Sequence, residues 1–329
     1  GNEFYPGKHD YYEIQIGNDT RPVAVLREGE PFTFEHRAAE REELLLGVAP
    51  LVEGSDCHLL HEWECLVTVR GAGGGEARRF RMALPYNGRG DTIAYYPGDG
   101  WVDVRVELGD FAGSDCEISV IFASKGTTSG RESVLFGVAG PQVVVRRGRA
   151  EAKKVVLISV ESLTDLGYLE ARYGFGNLAN LERLSRDAVC YPRVYTPSAA
   201  TLSFAASMLT GLLPSQHGIG DYGLAADSFE CEVSSRRFPV LAELFKRAGF
   251  FTAFGGVQAR FSAKSGWARG FDRYYQVFEK WSVSVPEIDW LIRTCRSLEG
   301  VDTFVYQHLD LLHEPLLSFG DRHSGRIYD

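Results

Sequence analysis

Two side chains in the second half of the sequence have both the type and the setting for chemistry, Glu161 and Thr201. Glu161 directly follows the apolar run Val155–Val160. If that run is a strand of an open parallel sheet, its C-terminal end is where ligands bind. Thr201 follows the turn-rich stretch Tyr195–Ala200 and precedes the helical run Leu202–Leu209, which closes at Thr210 and Gly211. Its hydroxyl therefore falls at a helix N-terminus, where backbone N–H groups can hold an anion such as phosphate. A threonine so placed could act as a nucleophile, but its hydroxyl is scarcely ionised at neutral pH and needs a base or a metal ion. Glu161 is the nearest candidate in sequence for holding that metal. Each residue also has a plainer role open to it: a carboxylate favoured by a helix dipole, and a helix N-cap.

The elements that must position these residues are legible in outline. Residues 1–150 read as strands separated by Gly, Asp and Asn turns. Trp101–Leu108 alternates Val102, Val104, Val106 and Leu108 with polar residues, and Cys116–Phe122 repeats the pattern. Cys65–Arg70 and Arg78–Leu84 flank the glycine-rich Gly71–Gly75, as a hairpin with a loose tip would. The longest helical stripe in this half is the polar run around Glu40–Leu46. Strands at this spacing predict an all-β sandwich, jelly-roll-like, over residues 1–150.

Near Pro141 the texture changes, and the charged connector Arg146–Lys154 leads into Val155–Val160. Consecutive β-branched residues without polar alternation belong to a strand covered on both faces, hence to a mainly parallel sheet flanked by helices. Leu178–Asp187, Leu202–Leu209 and Val240–Ala248 are the predicted helices, and Phe251–Gly255 and Thr303–His308 further strands. Residues 151–329 thus read as an α/β unit.

Bulk properties narrow the function. A formal net charge of -9 argues against a nucleic-acid partner held by a general basic field, although Arg146, Arg147 and Arg149 could form a local patch. No apolar run is long enough to cross a bilayer, so a soluble chain without a transmembrane segment is expected, cytoplasmic in preference to secreted. The six cysteines show no CxxC spacing, which excludes a zinc ribbon or redox motif and favours buried free thiols over disulfides. A glycosidase in residues 1–150 would need two carboxylates at a set separation, and sequence alone places no such pair there.

From about Lys154 onward the sequence carries, in order, VVLISVES, NLANLERLSRDAVCYPRVYTPSAATLSFAASMLTGLLPSQHGI, FPVLAELFKRAGFFTAF, GWARGFDRYY and VYQHLDLLHEPL. These blocks resemble the sulfatase branch of the alkaline phosphatase superfamily, over the N-terminal portion of its catalytic domain. The resemblance implies a metal-dependent hydrolase or transferase acting on phosphate or sulfate esters. It makes Glu161 a metal ligand, Thr201 both nucleophile and metal ligand, and His313 the contact to the substrate's anionic group. The cofactor implied is a divalent metal ion, with Zn, Mn, Mg and Ca all open. True sulfatases carry Cys or Ser where Thr201 stands, and Ser203, Phe204 and Ala205 replace the family's Pro, Ser and Arg. Glutamate with threonine looks more like the phosphoethanolamine and phosphoglycerol transferases of the superfamily.

The family's later Asp-His pair is not recognisable, and Asp321-Arg322-His323 reads as loop polarity. That leaves a truncated piece, a second chain completing the catalytic domain, or a degenerate protein. The implied partners are accordingly a small-molecule or carbohydrate ester and possibly that second chain; the alternative function is a non-catalytic sulfatase-like protein whose β domain binds carbohydrate or a protein partner. His217 reads as structural at a helix–loop junction. His308 and Asp310 lie near the ligand-binding edge, with a satisfied core histidine the preferred reading of His308. Lys264 could approach an anion. Trp63, Tyr95, Tyr96 and Trp101 could line a sugar-binding face, with core packing preferred for Trp101.

Overall fold

A computed structural model of the protein describes residues 4–6, 9–51, 62–71, 74–83, 101–125, 135–148, 151–161, 179–191, 193–219, 238–257, 261, 263, 266–277 and 286–309. Nine strands come first: β1 (Tyr11–Ile16), β2 (Asp19–Arg27), β3 (Phe32–Arg37), β4 (Glu42–Leu51), β5 (Glu62–Gly71), β6 (Gly74–Ala83), β7 (Val102–Glu107), β8 (Asp115–Lys125) and β9 (Leu135–Val145). Then follow β10 (Lys154–Val160), α1 (Ala179–Arg186), α2 (Thr201–Thr210), α3 (Pro214–His217), α4 (Leu241–Arg247), β11 (Phe251–Val257), β12 (Arg273–Val277), α5 (Pro286–Ser297) and β13 (Thr303–Leu309).

The β-rich half is a sandwich. One sheet is β3-β8-β5-β6, and the facing strands β1, β2, β9, β4 and β7 belong to a second, larger sheet. Alternate residues of both sheets meet in one core: Phe32 and Phe34 of β3, Val67 and Val69 of β5, and Ile118, Val120 and Phe122 of β8 face Leu44, Leu46, Val48, Val104, Val106, Phe136 and Val138. Each such side chain removed from water is worth about 1.5–3 kcal/mol. The expected hairpin is present, with Gly71 opposite Gly74 where β5 meets β6.

One expectation for this half is overturned. The run around Glu40–Leu46 is not helical, because Glu42–Leu51 is the strand β4, paired with β7 on one side and β9 on the other. Its side chains are divided between Leu44, Leu46 and Val48 in the sandwich core and Leu45 on the opposite face with Phe251 and Val301. A strand covered on both faces loses the polar alternation that would identify it. The change of texture at Pro141 falls inside β9. There Leu45 pairs with Gln142 and Gly47 with Ala139, so Gly140 and Pro141 both oppose Leu46 in a bulge. Proline is tolerated in a strand at such a place, and Gly140 takes the positive φ of +50° that the bulge requires.

The second half is a parallel sheet with helices, consistent with an α/β fold. β10, β13 and β11 run parallel in that order, and β12 is parallel to β11. Phe304 and Tyr306 of β13 face one way, into a core with Ala205, Ala206 and Leu209 of α2 and Ala242 of α4, while Val305 faces Trp290 of α5. This strict alternation decides which side chains of β13 can reach α2. β10 departs from the expectation of a strand covered on both faces: among the described residues it pairs only with β13, and Val155, Val156 and Ile158 are exposed.

The parallel sheet continues into the sandwich. Tyr274 and Tyr275 of β12 pair antiparallel with Thr20 and Asp19 of β2, so one sheet passes through both halves. Arg21 donates to Asp19 at 2.7 Å and to Asp103 at 2.7 Å, and Arg273 pairs with Asp103 at 2.8 Å. Trp101 is buried against this seam and donates its indole N–H to the Asp19 carbonyl at 3.2 Å. Gly270, just before β12, holds φ at +84°, and a Cβ there would stand 2.7 Å from the backbone nitrogen of Glu243. Gly270→Ala is therefore expected to cost about 1–3 kcal/mol, read as a fall in the urea midpoint at unchanged slope.

Candidate active site

The parallel register of β10 and β13 builds the site. Leu157 pairs with Tyr306 and Ser159 with His308, and the Glu161 N–H continues the ladder to the Leu309 carbonyl at 2.8 Å. Because side chains alternate along a strand, Leu157, Ser159 and Glu161 share the face of Tyr306 and His308, the face that packs α2. Glu161 thus emerges at the C-terminal edge of the sheet, directed at the start of that helix.

Thr201 is the first residue of α2, and the N-cap position belongs to Ala200, which makes no side-chain cap. The Thr201 hydroxyl instead donates to Glu161 Oε1 in a very close contact. The first helical amide to find an intrahelical carbonyl is that of Phe204, bonded to Ala200 at 2.9 Å. The amides of Leu202 and Ser203 precede that ladder, at the positive end of the helix. Glu161 Oε2 is 3.2 Å from His308 Nε2, and His308 Nδ1 is 2.8 Å from Ser159 Oγ. Ser159 Oγ in turn shares a hydrogen bond of 3.0 Å with the Tyr306 hydroxyl. His308 is 2% exposed, and the Phe261 ring lies 4.7 Å from its imidazole.

Glu161 and Thr201 offer two hard oxygen donors in contact with each other, which suits two corners of the shell of a divalent cation. Among the described residues no group of three or more His, Cys, Asp or Glu side chains converges on such a position. His308 is committed to Ser159 and Glu161. The set fits a cation in part, through these two oxygens.

His217 does what was expected of it. It is fully buried at the end of α3, where its Nδ1 accepts the Ile219 N–H at 3.0 Å and its Nε2 lies 2.9 Å from Ser207 Oγ of α2. The ring thereby ties the turn after α3 to the helix that carries Thr201. Burial holds its pKa below the usual imidazole value, against a smaller opposing effect of a hydrogen bond from the ring to the Ser203 carbonyl. A histidine kept neutral in the fold contributes stability that is complete above the unfolded value of about 6.5. That contribution is lost as the pH falls below it toward the folded value, because only the unfolded chain then takes up the proton. In wild-type protein the urea midpoint is expected to fall across this acid range, and in His217→Gln the fall is expected to flatten.

Several candidates lie outside the described residues: His313, Asp310, Lys264, Asp321, His323, Tyr95, Tyr96, Arg149, Cys57, Cys231 and the side chain of Trp63. Of the basic patch, Arg146 pairs with Glu43 at 2.9 Å and Arg147 with Asp302 at 3.1 Å. Cys65 and Cys116 are buried free thiols, and burial pushes the Cys65 thiol up to about 12. Among the described residues no helix is long and apolar enough to cross a membrane. Sequence reasoning passed over Ser159 and Tyr306 and preferred a core role for His308. The signal available was the two-residue spacing of Tyr306 and His308, matched by Ser159 and Glu161, which puts all four on one face once the two strands are paired.

Residues 153–309 match the sulfatase family model, and this match supports the sulfatase/alkaline-phosphatase-like superfamily and, at that coarse level, a hydrolase. No curated protein matches the chain. Solved structures that overlap it include TmCBM61 in complex with beta-1,4-galactotriose, at 10% identity and a TM-score of 0.23, covering 38% of this chain and 70% of that one. Carbohydrate-binding modules from the beta-sandwich super family overlap at 7% identity and a TM-score of 0.25, over 42% of this chain and 58% of that one. A family 16 carbohydrate-binding module does so at 10% identity and a TM-score of 0.22, over 41% of this chain and 89% of that one. Overlaps this weak carry no conclusion about fold or ligand.

Proposed function

We propose that the protein is a metal-dependent hydrolase or transferase of phosphate or sulfate esters, with Thr201 as the nucleophile. The observation that carries the reading is the direct hydrogen bond from the Thr201 hydroxyl to the Glu161 carboxylate at the start of α2. The Thr201 oxygen forms the new bond to phosphorus or sulfur as the bond to the ester oxygen breaks. Its proton passes to Glu161, and the departing alkoxide takes a proton from water. The non-bridging oxygens of the ester face the amides of Leu202 and Ser203, where the helix end favours negative charge. Attack by water, or by a second alcohol, then frees Thr201, which distinguishes a hydrolase from a transferase. A divalent cation held by the Glu161 and Thr201 oxygens would supply the positive charge that lowers the hydroxyl's pKa. His313 is assigned to the anionic group of the substrate on the resemblance of its sequence block.

In this reading residues 1–150 form an accessory β-sandwich and residues 151–329 carry the chemistry. Among the described residues β10 pairs only with β13, so its other edge suits a further strand, including one from a second chain. The test is turnover of 4-nitrophenyl phosphate and 4-nitrophenyl sulfate with Zn, Mn, Mg or Ca added singly. Metal-stimulated turnover of one ester is expected, and its absence with every metal refutes the catalytic reading.

The convergence of only two oxygen donors among the described residues favours one other reading, a non-catalytic sulfatase-like protein whose sandwich binds carbohydrate or a protein partner. Calorimetry with the same metals separates the two. Binding that Glu161→Ala abolishes is expected for the enzyme and is incompatible with the inert form.

A further inference from the structure

With Glu161 ionised and the His308 ring neutral, the hydrogen bonds behind Glu161 run in one direction. An ionised carboxylate only accepts, so His308 Nε2, 3.2 Å from Oε2, is the donor. The neutral imidazole then carries a bare Nδ1, which must accept from Ser159 at 2.8 Å. That spends the one proton of Ser159, whose oxygen must accept from the Tyr306 hydroxyl at 3.0 Å. Burial pushes the Tyr306 phenol well above its ordinary value, with the hydrogen bond to Ser159 opposing and the charge of Glu161 adding, so the phenol keeps its proton. Every donor in the row thus points toward Glu161. The row is enclosed: Ser159, Tyr306 and His308 are all buried, and Phe261 covers the imidazole.

A core histidine needs only satisfied nitrogens; this one spends its donor on the carboxylate that faces Thr201. We infer that Tyr306, Ser159 and His308 form a positioning chain that fixes the orientation of Glu161, holding Oε2 so that Oε1 faces the Thr201 hydroxyl. The inference rests on the reading of Glu161 and Thr201 as the reacting pair. None of the three residues need touch the substrate. Their effect is exerted through the carboxylate, as outer partners of ligating groups generally act.

The chain is tested on the full-length protein by 15N-edited NMR of the imidazole, with the His308 signals assigned by their loss in His308→Gln. Wild-type protein is expected to show a single tautomer protonated at Nε2, and Ser159→Ala to keep that tautomer, held by the carboxylate, while the Nδ1 resonance shifts to that of a nitrogen without a donor. Kinetics on the 4-nitrophenyl esters give the second readout. His308→Ala is expected to lower kcat by about 10–100-fold with KM nearly unchanged. His308→Gln, which keeps an N–H donor toward Glu161, is expected to restore most of that loss, while Tyr306→Phe lowers kcat at a nearly unchanged thermal midpoint and Ser159→Ala, which leaves His308 Nδ1 and the Tyr306 hydroxyl without their partner, lowers both. A wild-type ring protonated at Nδ1, or an unchanged kcat in His308→Ala, overturns the inference. Turnover that survives Thr201→Ala overturns the nucleophile assignment instead, and the tautomer of His308 then decides the chain independently.

Discussion

Thr201→Ala is expected to abolish metal-stimulated ester turnover, by at least about a thousandfold in kcat, while the protein stays folded. Loss of a nucleophile on this scale is the rule where it forms the bond directly, since binding and electrostatic stabilisation alone sustain only residual rates. The variant is expected to fold because Thr201 does not cap its helix: Ala200 occupies that position, and α2 is anchored by Ala205, Ala206 and Leu209 in the core. Removing the hydroxyl deletes one hydrogen bond to a carboxylate that retains His308, a cost of about 1–2 kcal/mol. Thr201→Ser, which keeps the oxygen in place, is expected to stay within about tenfold of wild type. Comparing kcat with the thermal midpoint for both variants checks the prediction, and an alanine variant with wild-type turnover removes Thr201 from the reaction.

The second large effect is structural and lies where the two halves meet. Asp272 collects groups from four parts of the chain. Its Oδ2 accepts the Thr252 N–H at 2.8 Å and the Thr252 hydroxyl at 2.9 Å, and its Oδ1 accepts the Tyr5 hydroxyl at 3.0 Å and bonds from Gln142 and Lys246. Asp272 and Lys246 are both buried, and the Lys246 ammonium lies 3.9 Å from the Tyr5 ring centroid and 5.4 Å from that of Phe4. Asp272→Ala strands that ammonium in a low-dielectric setting, so a loss of about 3–5 kcal/mol is expected. Urea denaturation is the measurement. Because the penalty comes from the orphaned charge rather than from the lost attraction, Asp272→Leu combined with Lys246→Met should recover part of it. A double variant no better than Asp272→Ala would show that the hydrogen bonds to Tyr5, Gln142 and Thr252 dominate instead.

The sandwich was legible where a strand has one wet face. β7 and β8 alternate in sequence because Val104, Val106, Ile118, Val120 and Phe122 face the core while their neighbours face outward. β4 was missed because both its faces are covered. Helices α1, α2 and α4 were legible by periodicity and, for α4, by Gly249, which ends it with φ at +84°, whereas α3 and α5 were not foreseen.

By itself, the sequence determined the candidate pair, because an acid after an apolar run and a hydroxyl before a helical one are local patterns set by chain chemistry. It also determined the order of elements around them. Only the tertiary structure decided that Glu161 and Thr201, 40 residues apart, touch, and that His308, 147 residues from Glu161, stands behind the carboxylate. It likewise decided that β2 joins β12 to make one sheet of two halves. The reason is register: a strand's own sequence sets which residues share a face, but the neighbour it pairs with and the offset of that pairing come from the packing of the whole molecule. A shift of one residue between β10 and β13 would turn Ser159 away from His308.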